Sequence, residues 1–242
     1  VKPVAIFRHS PTEGPGHFAD YLDRRGIAWK VVPVDEGAQV PGDCSAFSGL
    51  VFMGGPMSVN DDLPWIPPAL ALIRDAVAKD VPVLGHCLGG QLMSRALGGV
   101  VSRTPLKEIG WGEVRVDEHP VARAWFAAGT PAFVTFHWHG ETFSIPPGAV
   151  PVLSSPWCLN QGFALGPHLG MQCHIEMTQD LVRSWVESGT RELARGGSPA
   201  VQAPPAILKD LDARVQALHA VADGVYARWV EGLGLEALGA RR

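Results

Sequence analysis

Gly85-His86-Cys87-Leu88-Gly89 has the residue types and spacing to present a nucleophile. An attacking atom must stand clear of its own element with a backbone amide beside it, and a sharp strand-to-helix turn flanked by glycines provides both. Val81–Leu84, before the turn, reads as a buried strand, and Leu88–Leu97, after it, has helical period. The positive end of such a helix lowers a thiol pKa from its free value of about 8.5 and lets the Leu88 amide face a developing oxyanion. Cys44, Cys158 and Cys173 lack this context and read as small buried hydrophobes. As a phosphate loop the stretch fails: Gly85 and Gly90 are correctly spaced, but Gln91-Leu92 stands where a Lys and a Ser or Thr are needed. Gly54-Gly55-Pro56 does not complete a dinucleotide fingerprint.

A thiolate nucleophile needs an imidazole, and the imidazole needs an acid or amide to fix its tautomer. In extended chain, residues i and i+2 share a face, so His174-Ile175-Glu176, closing the apolar strand Gly170–Cys173, reads as a base with its orienter. His137-Trp138-His139-Gly140-Glu141 is the competitor, because strict alternation there would put two imidazoles and a carboxylate together as a metal site. Gly140 reads as a turn, however, and no third strong ligand stands nearby in sequence, so no metal is expected. The histidines at 9, 17, 86, 119, 168 and 219 read as ordinary polar residues of loops and helix surfaces.

These groups need a scaffold, and short Val-, Ile- and Phe-rich runs alternating with helical segments predict an α/β fold: a mostly parallel central sheet flanked by helices. Strands are expected at Pro3–Arg8, Trp29–Val34, Gly49–Met53 and Val81–Leu84, with helices at Phe18–Arg25, Pro67–Lys79 and Leu88–Leu97. From Trp111 to Glu176 the chain turns β-rich, with strands expected at Val114–Val116, Ala132–His137, Val150–Leu153, Gln161–Leu165 and Gly170–His174. Thr178 caps a helix that runs on over Leu181–Leu193. Residues 1–195 are expected to form one domain, 196–205 a Gly/Pro-rich linker, and 206–242 a helical appendage. The appendage carries a seam of Leu208, Leu211, Val215, Leu218, Ala222, Val225 and Trp229, laid on its own domain or on a second copy in a homodimer.

Composition narrows the partners. With 20 basic and 24 acidic residues the formal charge is −4, which gives no footprint for nucleic acid. No apolar run approaches the ~20 residues that span a bilayer, and the N-terminal stretch is too short for a secretory signal. Four cysteines without a CxxC pair favour a reducing, cytoplasmic setting.

Gly54-Gly-Pro-Met-Ser-Val59, Gly85-His-Cys-Leu-Gly-Gly-Gln91, Trp138-His-Gly-Glu141 and His174-x-Glu176, in this order, resemble the class I (triad-type) glutamine amidotransferases over roughly residues 4–195. Glu108-Ile-Gly-Trp111 and Trp138–Phe143 are most similar to the stand-alone, GMP-synthase-like members. The resemblance implies Cys87 as nucleophile, His174 as base, Glu176 as orienting acid, and the Gly55 and Leu88 amides as oxyanion hole. It further implies Gln91, Trp138 and His139 as substrate-binding residues. Two positions depart from the usual pattern: Ile175 replaces a Pro, and Gly90 stands where many members carry His or Met.

The implied reaction is hydrolysis of the glutamine side-chain amide to glutamate and ammonia through a γ-glutamyl thioester, with no cofactor. About 45 residues follow residue 195, fewer than a typical ~100-residue domain, so an ammonia-accepting synthase is expected to be a separate partner. The alternatives are a hydrolase of other γ-glutamyl amides or peptides, and a catalytically silent binding protein on the same fold.

Overall fold

The computed structural model describes residues 2–126 and 130–234. Four short apolar runs form β1 (Val4–Arg8), β2 (Trp29–Pro33), β3 (Gly49–Phe52) and β4 (Val83–His86). The later strands are β5 (Val101–Val116), β6 (Ala132–Phe143), β7 (Val150–Ser154), β8 (Gly162–Leu165) and β9 (His168–Met171). All belong to one sheet in the order β2-β1-β3-β4-β9-β8-β7-β5-β6. Pairing is parallel from β2 to β9 and antiparallel from β9 to β6. The β-rich portion therefore extends the parallel sheet.

Alternation along β1 explains the continuous apolar run: Val4 and Ile6 enter one core, Ala5 and Phe7 the other, as a sheet covered on both faces requires. The second core takes α2 (Ile66–Ala78) through Ala69, Leu72 and Ile73, and α3 (Leu88–Ala96) through Leu88 and Leu92. On the first face lies α1 (His17–Arg24), which buries Phe18 and Leu22. The short α4 (Pro120–Trp125) joins that core through Ala122 and Trp125.

β5, β6 and the helix after Thr178 are among the elements that differ from expectation. β5 begins thirteen residues before the expected Val114, because Ser102 to Lys107 is polar and mostly outward-facing and carries a register irregularity between Arg103 and Glu108. Its partner β6 continues through Gly140 to Phe143, held by the pairs Arg103–Glu141, Ser102–Thr142 and Val101–Phe143, so Gly140 is no turn. The helix expected over Leu181–Leu193 is split into α5 (Gln179–Ser188) and α6 (Thr190–Arg195). At the break, a side chain on Gly189 would strike the Trp138 ring. Thr178 caps α5 as expected, its hydroxyl accepting from the Leu181 amide at 3.2 Å.

Between residues 196 and 205, Val201 bridges Ile109 of β5, and the Gln202 side chain accepts from the Trp111 amide (2.9 Å) and donates to the Trp111 carbonyl (2.7 Å). α7 (Pro204–Leu208) and α8 (Leu211–Glu231) follow, separated at Asp210, which has φ 51°. The expected seam is broken at its start, because Leu208 ends α7 and is only partly buried, while Leu211 to Trp229 is buried along α8, with Tyr226 added, in the core shared with α1. Phe18 meets Tyr226 and Trp229 edge-on at 4.8 and 5.6 Å. Its own chain therefore covers this seam; residues 235–242 of the expected appendage lie outside the described residues. No described helix is long and apolar enough to cross a membrane.

Trp229 is fully buried. Trp229→Ala is expected to lower unfolding free energy by about 3–5 kcal/mol, measured by urea denaturation, as for large aromatic side chains removed from a core.

Candidate active site

β4 ends at His86 and α3 starts at Leu88, which leaves Cys87 alone at the corner with φ 50° and ψ −107°. Positive φ costs a non-glycine residue on the order of 1–3 kcal/mol, so the surroundings must enforce it. They do so by backbone approach: a Cβ on Gly85 would run into Gly89, one on Gly89 into the Phe52 carbonyl, and one on Gly90 into Met171. The Cys87 amide donates to the Met171 carbonyl at 2.8 Å, tying the corner to β9. The thiol opens onto a cleft of about 790 Å³ that His174, Glu13, Gly55, Gln91 and Trp138 also line.

His174 lies three residues beyond β9, where its amide donates to the Phe136 carbonyl at 2.9 Å. The expected strand over Gly170–His174 thus ends early, yet His174 and Glu176 still share a side: Nδ1 and Oε1 are 2.7 Å apart. A carboxylate only accepts, so Nδ1 carries the proton there, and Nε2, buried without another partner, is left for the thiol. Burial alone would lower the His174 pKa, but the Glu176 charge and the Cys87 sulfur outweigh it and raise it well above the usual value. Burial would raise Glu176, and the imidazoles of His86 and His174 instead hold it low. His86 Nε2 is 3.7 Å from Glu176 Oε2. Trp185 fixes the His174 ring edge-on at 4.8 Å and is itself held by Nε1 donating to the Thr12 carbonyl at 2.8 Å.

The other expected site residues surround this core. Gly55 lies against Leu88, since a Cβ on it would touch the Leu88 side chain, and the Leu88 amide is a first-turn donor without a helical partner. His9 supports the Gly54-Gly55 turn through Nδ1, 3.1 Å from the Met53 carbonyl, and burial pushes its pKa down to about 4. Gln91 donates to Gln172 Oε1 at 3.1 Å, and Gln172 Nε2 donates to Cys87 Sγ at 3.4 Å. The Trp138 carbonyl is 4.0 Å from Cys87 Sγ, and its indole nitrogen donates to Glu192 at 2.9 Å.

His139 lines the cleft, but its ring nitrogens face the Glu141 carbonyl (3.1 Å) and Glu108 (3.2 Å). Glu108 is the strong ligand that sequence proximity did not reveal; it pairs across the ladder with His139. With His137 they place ligand atoms within 4.8 Å of one another. The expectation of loop or surface histidines is likewise corrected for His9, His17, His86 and His168, all of which are buried.

Sequence reasoning also missed Glu13. It follows β1 at the carboxyl end of the parallel strands, where open α/β sheets bind ligands, and that position was the available signal. Its Oε2 fills the space a side chain on Gly54 would take, next to the His174 ring edge. Burial raises its carboxyl to about 7, with His174 opposing the rise and Glu176 adding to it.

Comparison with known proteins gives a consistent family. Residues 17–185 match the family model "Glutamine amidotransferase class-I". The glutamine amidotransferase-like protein YfeJ of Salmonella typhimurium is 31% identical over 196 residues, covering 77% of this chain and 80% of that protein. The crystal structure of a glutamine amido transferase from Methylobacillus flagellatus superposes with a TM-score of 0.93 at 48% identity, over 96% of this chain and 95% of that one. A GMP synthase [glutamine-hydrolyzing] of Herminiimonas arsenicoxydans is 31% identical over 166 residues, which is 64% of this chain but only 30% of that protein's length.

In the native protein, brief alkylation is expected to modify Cys87 first, because Cys44, Cys158 and Cys173 are buried away from the cleft; peptide mass mapping reads the site. Folding raises Glu13 from 4.5 to about 7, so the folded chain holds more protons across that window and its stability falls as pH rises through it. Glu13→Gln should remove this loss, with urea midpoints of variant and parent diverging between pH 5 and pH 8 in favour of the variant.

Proposed function

The chain belongs to the class-I glutamine amidotransferase family, and from this premise we propose that Cys87, His174 and Glu176 form a triad that hydrolyses the side-chain amide of glutamine through a γ-glutamyl thioester. The observation that carries the reading is the strained Cys87 corner opening onto the cleft that is also lined by His174, the partner of Glu176.

In the proposed reaction His174 Nε2 takes the Cys87 proton, and the thiolate attacks the amide carbon. The Gly55 and Leu88 amides receive the oxyanion, each worth about 3–4 kcal/mol by analogy with measured oxyanion-hole losses. Collapse expels the amine with the proton from His174, leaving the thioester and free ammonia. Water, deprotonated by the same imidazole, then attacks the thioester carbon, and glutamate leaves as the sulfur regains its proton. Glu176 holds Nδ1–H throughout, so the imidazolium formed in each half is paired. Gln91 helps bind the substrate and the Trp138-His139 segment contacts the amino-acid end of glutamine; because both His139 ring nitrogens are engaged, we assign its contribution to the backbone. Ammonia released here is proposed to feed an acceptor enzyme, a reading supported by the relatives named GMP synthase. The four unpaired cysteines suit the reducing cytoplasm.

A glutamine diazoketone analogue should label Cys87 alone, with no labelling in Cys87→Ser, and ammonia release from glutamine should be lost in the same variant. Glu176→Gln, which keeps size but loses the charge, should lower kcat by about 10⁴ if the cost matches that of the equivalent triad change in serine proteases. Release of amines from γ-glutamyl conjugates without turnover of glutamine would replace this reading with the broader γ-glutamyl hydrolase.

A further inference from the structure

The β5–β6 hairpin holds a second constellation of chemical groups. Glu108 and His139 are cross-strand partners, and His137, two residues earlier on the same strand face, stands opposite Gly110 with its ring against Gly112, where a Cβ would meet His137 Cδ2 at 3.0 Å. Gln161, just before β8, closes the group. Its amide nitrogen is 2.7 Å from Glu108 Oε2 and 3.4 Å from both His137 Nδ1 and His139 Nε2. His139 Nε2 is 3.2 Å from Glu108 Oε2. Tetrahedral zinc with bonds of about 2.0–2.1 Å has ligand-to-ligand edges of about 3.3 Å; His139 Nε2 and Glu108 Oε2 stand 3.2 Å apart, and the ligand atoms of Glu108, His137 and His139 all lie within 4.8 Å of one another.

Proton placement sharpens the point. His139 Nδ1 faces the Glu141 carbonyl, which only accepts, so that nitrogen carries the ring proton. In the neutral ring, Nε2 then turns a lone pair toward a carboxylate oxygen 3.2 Å away. The Gln161 amide nitrogen stands between these two acceptors, and a cation in its place would bind both directly. The outer contacts match those that orient metal ligands: a ring N–H on a backbone carbonyl, and the Ser155 hydroxyl donating to Glu108 Oε1 at 2.8 Å. Gln161 Oε1 is buried without a partner, and a half-turn of the amide exchanges it with Nε2.

We propose that Glu108, His137, His139 and the Gln161 side-chain oxygen form a site for one divalent transition-metal ion of the zinc type. The ion enters from the cleft, which His139 lines. Trp138 lies between two of the ligands and its carbonyl faces Cys87, so the ion braces the wall of the catalytic cleft without taking part in bond cleavage.

The test uses the full chain, stripped with a chelator and titrated with Zn²⁺, and separately with Co²⁺ to read coordination geometry by visible absorption. One equivalent should bind, with intense tetrahedral Co²⁺ bands. His137→Ala should abolish binding, Ser155→Ala should weaken it by about 10–100-fold, and Cys87→Ser should leave it intact. His137→Met keeps the bulk without the imidazole, and circular dichroism confirms that each variant is folded. Absence of saturable binding overturns the site, as does binding that persists in His137→Met but disappears in Cys87→Ser, which would put the ion on the thiol. None of these readings depends on glutamine turnover.

Discussion

The structure depends on how closely backbone approaches backbone beneath Cys87. Three glycines let the start of α3 press against β3 and β9, and that contact holds a cysteine in a conformation it would otherwise avoid. Strain at this corner is supported by the buried strands on either side, Leu50 to Phe52 and Leu169 to Met171, all nearly solvent-free. Any side chain at Gly89 would have to displace the Phe52 carbonyl, so the corner tolerates little change even though only one of its residues reacts in the proposed mechanism.

Helices α1 and α8 support Glu176, the acid of the proposed triad, from behind. The Glu176 carbonyl accepts from the His17 amide at 2.9 Å, and the Met177 carbonyl meets His219 Nε2 of α8 at 2.8 Å. His17 and His219 stack at 3.5 Å, with Asp223 bridging His17 to Arg24. A segment far along the chain thereby fixes the backbone that carries Glu176, and the buried seam of α8 serves the geometry of the cleft as well as the core.

The groups proposed to react were legible because each sits in a local pattern: apolar strand, glycine-flanked cysteine, helix; or His-x-Glu at a strand end. The parallel strands were legible too, since burial on both faces leaves continuous apolar runs such as Val4–Phe7. What escaped depends on pairing between distant segments. The polar half of β5 has no pattern of its own and is a strand because β6 lies beside it. Gly140 reads as a turn in isolation and as extended chain once Lys107 packs over it. Glu108 and Glu13 are ordinary acids in sequence, and only the hairpin ladder and the β1 loop bring them to His139 and His174.

Because β4 and β9 are immediate neighbours, with His86 level with Met171, one short ladder sets how far the sulfur stands from the imidazole. Its step is quantised at about 3.3 Å per residue, and each step also reverses the side-chain face. Sliding these strands therefore cannot fine-tune the gap; finer adjustment falls to Gln172 and Cys173 and to the bridge that ties His174 to Phe136 of β6.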